Sequence, residues 1–515
     1  MAREEMEARL RSLEERVLTS DARMVERQHT EGKLTARERV ARLLDRGSFV
    51  EEFMMAETQV TDFGMAERRL PTDGVVTGYG TVNGRPIYVF AQDRTVLQGA
   101  VGQAHGEKIA YVIETASRVG VPLVGLYDSV GARIQEGLDA TRAIGKIFYA
   151  NSIASGVVPQ ISAIMGPCIG VASYSPALTD FVFMVRGTSQ MFITGPSVIK
   201  EVTGEDVTME DLGGAKVHSE TSGCADFVAA NDEECLDAIR RLLGFLPQNC
   251  GEPPPRHEAD DDPDRLDDDL AALVPAESRK SYNILNVIKR LVDGGAFFEM
   301  KPRFARSMVI GFGRMDGGTV GFVANQPNWL AGAIDVDAAD KAARFIRFCD
   351  AFNVPIVTLV DVPGFMPGVA QEKSGIIRHG AKMLFAYSEA TVPKITLYLR
   401  KGYGGAKQAM CTRELGADQL FVWPGVELAV MGAEGAVNVL YRREIEEAED
   451  PQAVRQQKIA EFNARFSGPF DALSKQFAHA AIRPAETRMR IIRALRMLAG
   501  KREDRPRKKH SVMPV

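Results

Sequence analysis

Five glycine-bearing loops stand out in this chain, each directly after an apolar run: QGAVG (98–102), SVGARIQEG (129–137), GPCIGVASYSP (166–176), DVPGFMPG (361–368) and RKGYGGAKQAM (400–410). Glycine lets the backbone approach a ligand closely. A helix that starts just after such a loop points unpaired N–H groups into the gap. Paired donors of that kind could hold an oxyanion such as an enolate. Taken singly, the same glycines read as tight turns. Side-chain catalysts are scarce: there is no GxSxG, HExxH or GxxxxGK[ST] motif. His379, in IIRHGAKML, reads as a hydrogen-bonded structural histidine, and His105 as a solvated first-turn residue. Asp128 and Asp361 end apolar runs and read as caps for the loops that follow. Cys168 has no neighbouring base and reads as small loop packing. A chain rich in backbone donors and poor in general bases implies that the substrate or a cofactor brings the base.

The elements that position these loops come in two sets. VPLVGLYDSVGARIQEG starts at Val121 and VPIVTLVDVPGFMPG at Val354, an offset of 233. VPQISAIMGPCIGVASYSPA from Val158 faces VPKITLYLRKGYGGAKQAMC from Val392, an offset of 234. GRPIYVFAQDRTVLQGAVG likewise resembles GGTVGFVANQPNWLAGAID, and FVFMVRGTSQMFITGPSVIKEV resembles LFVWPGVELAVMGAEGAVNVL. Matching blocks in one order at a near-constant offset indicate a tandem duplication of a domain of roughly 230 residues. VPLVGLYD and VPIVTLVD read as buried strands of the parallel type. HGEKIAYVIETASRVG and ADKAARFIRFCDAFN read as the crossover helices ahead of them. The fold class is therefore α/β, built from repeated βα or ββα units. With this duplication the loops stand at matching positions, which favours a site over mere turns.

The 515 residues exceed one core and suit two domains. The expected division is 1–250, a linker over 251–274, and 275–515. The linker reading rests on the prolines and aspartates of CGEPPPRHEADDDPDRLDDDLAALVP. A net charge of −5 speaks against a nucleic-acid partner. The six cysteines show no CxxC spacing, which argues against a zinc ribbon or a disulfide framework and fits a reducing cytoplasm. The start, MAREEMEARLRSLEERV, is a charged helix without a signal core, and no apolar run is long enough to span a membrane.

GPCIGVASYSPALTDFVFMV, FITGPSVIKEVTGEDVTMEDLGGAKVHSETSG, NQPNWLAGAIDVDAADKAARFIRFCDAFNVPIVTLVDVPGFMPG, GIIRHGAKMLFAYSEATVPKIT and WPGVELAVMGAEGAVNVL resemble the carboxyltransferase (β) subunit of biotin-dependent acyl-CoA carboxylases. The propionyl-CoA carboxylase β type is the nearest in pattern, over nearly the whole chain. The resemblance implies two tandem crotonase-like (ClpP/crotonase) domains of ββα units. It implies a hexamer built as a trimer of dimers, with the acyl-CoA on the N-domain side and biotin on the C-domain side. It also implies transfer of a carboxyl group from carboxybiotin to the α-carbon of an acyl-CoA, with backbone N–H groups stabilising both anions and no metal in this chain. Biotin arrives on a partner, because the chain has no AMKM-like biotinylation site and no ATP-grasp-like loop; a biotin carboxylase and biotin carrier subunit are the partners implied.

Carried over position by position, the thioester oxyanion hole falls at Gly170, Val171 and Ala172, and the biotin hole at Gly404, Gly405 and Ala406. Gly99, Ala100, Gly131, Ala132, Arg133, Lys407 and Gln408 fall at substrate-binding positions, that of Gln408 being one the family uses to shape acyl choice. Arg133 has two roles open to it, a phosphate contact or a loop brace. Four departures bear on substrate choice. Val171 replaces a glycine of GPCAGGAVYSP. Val130 replaces a glycine of SGGARIQEG. QDRTVLQGA stands for QDFTVFGGS and brings Arg94, Leu97 and Gln98. YGGAKQAM stands for YGGAYDVM and brings Lys407 and Gln408. A β-branched residue is restricted wherever φ must be positive. Two other readings stand beside the main one. In the first, a decarboxylase or transcarboxylase subunit runs the half-reaction in reverse. In the second, the chain is a non-catalytic scaffold paralogue, supported only by Val130, Val171, Lys407 and Gln408.

Overall fold

LVGLYDS and IVTLVDV are buried at every position, as strands covered on both faces must be. The structure, a computed structural model, describes residues 3–19, 21–68, 71–466 and 468–514. The chain divides into two compact α/β units, residues 1–252 and 253–515.

The first unit is built on eight strands: β1 (Val50–Glu52), β2 (Val75–Val82), β3 (Arg85–Gln92), β4 (Leu123–Ser129), β5 (Gln160–Ile169), β6 (Phe181–Val185), β7 (Gln190–Phe192) and β8 (Phe227–Ala229). Their order is β1-β2-β3-β4-β5-β6-β8, with β7 paired to the far end of β5. β1–β3 pair antiparallel and the rest parallel. Helices Gln103–Val119 and Leu138–Ala154 make the crossovers. Gly120, at φ 77°, ends the first of them, a left-handed position that glycine takes without strain. Ile109, Val112, Ile113 and Ala116 of that helix pack with Phe90, Leu123 and Ile164 of the sheet.

The second unit repeats the plan with β9 (Phe297–Met300), β10 (Met308–Met315), β11 (Gly318–Asn325), β12 (Ile356–Val362), β13 (Lys394–Tyr403), β14 (Gln419–Val422), β15 (Glu427–Ala429) and β16 (Ala480–Ala481). The order is β9-β10-β11-β12-β13-β14-β16, with β15 on the far end of β13. Register repeats as well: Tyr88 faces Leu123 as Gly321 faces Ile356, each 233 apart. β4 slips register between Tyr127 and Ser129, and β12 between Val360 and Val362. Helix Val336–Ala351 is N-capped by Asp335, whose side chain accepts from Ala338 N–H.

Residues 253–274, expected as part of a surface linker, fold with the second unit. Much of the segment faces solvent, but Leu270 is fully buried in the second core. Asp267 pairs with Arg290, and Asp261 with Arg265. Asp264 and Asp269 also have arginine partners, Arg493 and Arg290, on the unit's own surface.

Candidate active site

Each unit carries one exposed turn at the end of its long central strand. β5 ends at Ile169 with φ −115° and ψ 148°; β13 ends at Tyr403 with φ −115° and ψ 145°. Gly170 and Gly404 follow at φ 67° and 57° and reverse the chain into a short helix, Gly170–Ser173 or Gly404–Ala409. Neither helix start has a side-chain cap. The first amides of a helix have no partner within it. Val171–Ala172 and Gly405–Ala406 therefore present bare N–H groups. Val171 is not among the residues of positive φ, and neither is Val130, because Gly170 and Gly131 take the left-handed positions. The β-branched replacements sit in ordinary backbone, so the turn geometry tolerates both. A Cβ on Gly405 would meet only the Phe365 ring, at 3.9 Å, so the backbone there is open to close approach.

Behind each turn lies a buried acid. Asp128 and Asp361, the last acids of β4 and β12, are 0% and 1% exposed. Each donates its own N–H to an amide oxygen at the end of the neighbouring strand, Gln92 at 3.3 Å and Asn325 at 3.2 Å. Each has its carboxylate paired to a guanidinium at 3.0 Å, Arg39 for Asp128 and Arg400 for Asp361, and Arg94 lies 3.9 Å from the other Asp128 oxygen. The cations come from different places. Arg400 lies on β13; the matching position on β5 is Gly166, where a Cβ would sit 2.0 Å from Asp128 Oδ1. Arg39 instead reaches in from helix Ala36–Leu43, which Thr35 and Glu38 cap reciprocally. Arg39 also holds Asp232 at 2.7 Å and the Met165 carbonyl at 3.1 Å. Gly99 and Gly332, both at positive φ, pass so close to the Asp128 and Asp361 carbonyls that a Cβ would stand 2.3 and 2.6 Å from them.

The loop 129–137 is braced rather than open. Arg133 is buried, with Nη1 2.6 Å from Asp73 and 2.7 Å from Glu136 and Nη2 2.8 Å from the Ala100 carbonyl. Of the two roles open to Arg133, these contacts are those of a brace. Gly99, Ala100 and Gly131 are buried too. The Gly131 N–H donates to Ser129 Oγ, and Val101 N–H donates to the Gly131 carbonyl. Only Ala132 of this set is partly exposed. These residues shape the loop from behind: both Nη atoms of Arg133 and the Gly131 amide and carbonyl are already paired.

His105 is fully buried, against the solvated reading. Its Nδ1–H donates to the Asp73 carbonyl at 2.9 Å, and Gln92 Nε2–H donates to its Nε2 at 3.2 Å. Burial, with Arg133 and Lys108 nearby, pushes its pKa well below the usual imidazole value, so it stays neutral. His379 Nδ1 lies 2.8 Å from Asp340, a structural pair as expected. Cys168 is buried, and burial pushes its thiol up to about 12, which removes it as a nucleophile at neutral pH. In the second unit, Gln408 accepts from Thr412 Oγ1 at 2.6 Å, and the Lys407 ammonium stands 4.8 Å over the Phe477 ring.

Four supporting residues escaped the motif search: Arg39, Asp73, Gln92 and Asn325. Gln92 and Asn325 left a signal, since each ends an apolar strand with an amide at the 233-residue offset. Arg39 and Asp73 left none, because their partners lie far along the chain.

Among known protein families, the carboxyl transferase domain matches residues 27–513. The methylmalonyl-CoA decarboxylase subunit alpha of Propionigenium modestum is 54% identical over 491 residues, covering 95% of each chain. The propionyl-CoA carboxylase carboxyltransferase subunit of Haloferax mediterranei is 54% identical over 488 residues, again 95% of each. The hexameric transcarboxylase 12S, solved with methylmalonyl-coenzyme A and methylmalonic acid bound, superposes with a TM-score of 0.97 at 49% identity, covering 100% of this chain and 99% of that one.

Proposed function

The chain belongs to the carboxyl transferase domain family, and from that premise we propose that it moves a carboxyl group between biotin, carried by another chain, and the α-carbon of an acyl-CoA. The observation that carries this reading is the repeated turn: two strand ends, two left-handed glycines and two uncapped helix starts at matching positions. Such a pair suits a reaction with two carbonyl-type reactants, each of which gains negative charge when the carboxyl group or the α-proton leaves it. Biotin, when bound, supplies the carboxyl group and a ring nitrogen able to take the α-proton. The open backbone at Gly405 fits a flat ureido group. In this reading, amides of Gly170, Val171 and Ala172 hold the thioester oxygen, and those of Gly404, Gly405 and Ala406 hold the ureido oxygen. The chain contributes position and charge stabilisation, not a general base, in keeping with an inert Cys168 and a neutral, buried His105.

The relatives named for methylmalonyl-CoA and propionyl-CoA support a short, α-branched product or its unbranched precursor. They include a decarboxylase and a carboxylase at equal identity, so the same site serves either direction. Direction then follows from the partner, a biotin carboxylase with its biotin carrier or a decarboxylase assembly. The transcarboxylase likeness supports a homo-hexamer. A cytoplasmic setting belongs to this reading, in keeping with six cysteines left as free thiols. The ordinary backbone at Val130 and Val171 removes the main ground for a non-catalytic scaffold.

The test is the isolated half-reaction. Purified protein is mixed with biocytin and malonyl-, methylmalonyl- or ethylmalonyl-CoA, and acyl-CoA release is followed by mass spectrometry. Biocytin-dependent decarboxylation is the expected result. Silence across the panel from folded, assembled protein would overturn the reading.

A further inference from the structure

A cavity of about 150 Å³ opens beside the second-unit turn, lined by Lys407, Leu428, Asp471, Ala472, Lys475 and Phe477. Two of its charges answer each other, because Lys475 pairs with Asp471 at 2.8 Å. Lys407 has no ion pair or hydrogen bond for its ammonium among the described residues; it rests only on the Phe477 ring. The Tyr398 hydroxyl donates to the Lys407 carbonyl at 3.0 Å and fixes the backbone from which the side chain extends. Burial lowers the Lys407 pKa, with Glu414 opposing the fall. An ammonium held in a partly enclosed space without an anion is unfavourable.

We propose that this cavity binds a short-chain carboxylate, its oxygens on the Lys407 ammonium and its carbons against Leu428, Ala472 and Phe477. One uncommitted cation matches one negative charge, and the nearby Asp471 disfavours a dianion such as phosphate. The volume equals roughly five waters, the size of a three- or four-carbon acid. The carboxylate can belong to a free acid or to the far end of a dicarboxylic acyl-CoA. The free-acid source is independent of the carboxyltransferase reading, whereas the acyl-CoA source rests on it, so a response of the free-acid arm alone separates the two.

The experiment is calorimetry and thermal shift on the full chain in its native assembly. One arm titrates propionate, butyrate and inorganic phosphate; the other compares succinyl-CoA with butyryl-CoA. We expect carboxylate binding that weakens about tenfold or more in Lys407→Met and survives in Lys407→Arg. The arm that responds names the source. Lys407→Met removes a partly enclosed charge with no ion-pair partner, so its ligand-free protein melts no lower than wild type and losing the fold does not account for losing the ligand. The proposal is overturned if neither arm shows carboxylate binding that depends on Lys407, or if phosphate binds there more tightly than the monocarboxylates.

Discussion

Replacing Arg39 by methionine tests how the first turn is held in place. Arg39 is 1% exposed and bonds Asp232 at 2.7 Å, Asp128 at 3.0 Å and the Met165 carbonyl at 3.1 Å. Methionine fills most of the space but leaves two buried carboxylates without their cation. Lys33 at 3.6 Å and Arg94 at 3.9 Å from Asp128, and the Leu34 N–H 3.0 Å from Asp232, compensate in part. Breaking a buried pair costs about 3–5 kcal/mol, so we expect about 4 kcal/mol for Arg39→Met. Arg42→Met is the control. Its pair with Asp237 is 2.8 Å long, but both side chains are half exposed, and such pairs contribute below about 1 kcal/mol. A unit of this size shifts by roughly 2–4 °C per kcal/mol, so the first variant should melt roughly 10 °C lower and the control within a few degrees of wild type. Both tryptophans, Trp329 and Trp423, lie in the second unit, so circular dichroism and calorimetry are the appropriate probes. The pH dependence gives a second reading. Burial holds the Asp232 carboxyl above its unfolded value, and Arg39 opposes that rise. A raised carboxyl pKa makes folding take up protons, so stability is lost as pH rises through it. Without Arg39 the pKa rises further. The deficit of the variant should therefore be largest at alkaline pH and shrink as pH falls. If Arg39→Met and Arg42→Met melt alike, the buried network does not hold the end of β4.

Gly404→Ala and Gly170→Ala separate the two turns. Both place a Cβ at positive φ, but the nearest atom is Val430 O at 3.1 Å in one and Ile193 O at 3.9 Å in the other. Left-handed strain alone is about 1–2 kcal/mol, and losing an oxyanion donor is about 100-fold in rate. We expect turnover of the half-reaction to fall about 100-fold in Gly404→Ala and less in Gly170→Ala; full activity in both would remove the turns as donors. His105 is buried neutral with a depressed pKa, so its contribution to stability is complete above the unfolded imidazole value and is lost as pH falls below it. His105→Gln should flatten the fall in melting temperature on acidification, and an unchanged slope would refute the assignment.

The duplication was legible in the residues because strand ends, glycines and Val-Pro starts recur at a fixed offset, and those features determine which loops share one end of each sheet. Gln92 and Asn325 were legible in the same way. What pattern could not give was the partner of a long side chain. Arg133 lies in a loop that resembles a substrate contact, yet Asp73, 60 residues earlier, claims it. Leu270 sits in a run of aspartates, and only the fold shows that it reaches the core. Periodicity reports which face a residue shares, whereas the direction of a guanidinium depends on what the finished fold brings within reach.

The two neutralised acids also set an order of events during synthesis. In the second unit Asp361 and Arg400 are 39 positions apart, on adjacent strands. In the first, Arg39 leaves the ribosome 89 positions before Asp128 and 193 before Asp232. Longer loops close at greater entropic cost and later. The end of β12 can therefore lock as soon as β13 is made. The network behind the end of β4 is completed only when helix Asp232–Leu243, close to the last part of its unit, has emerged and Asp232 joins Arg39. A nascent first unit thus waits 89 residues for the first partner of Arg39 and 193 for the second, while the second unit completes its pair across one crossover between adjacent parallel strands.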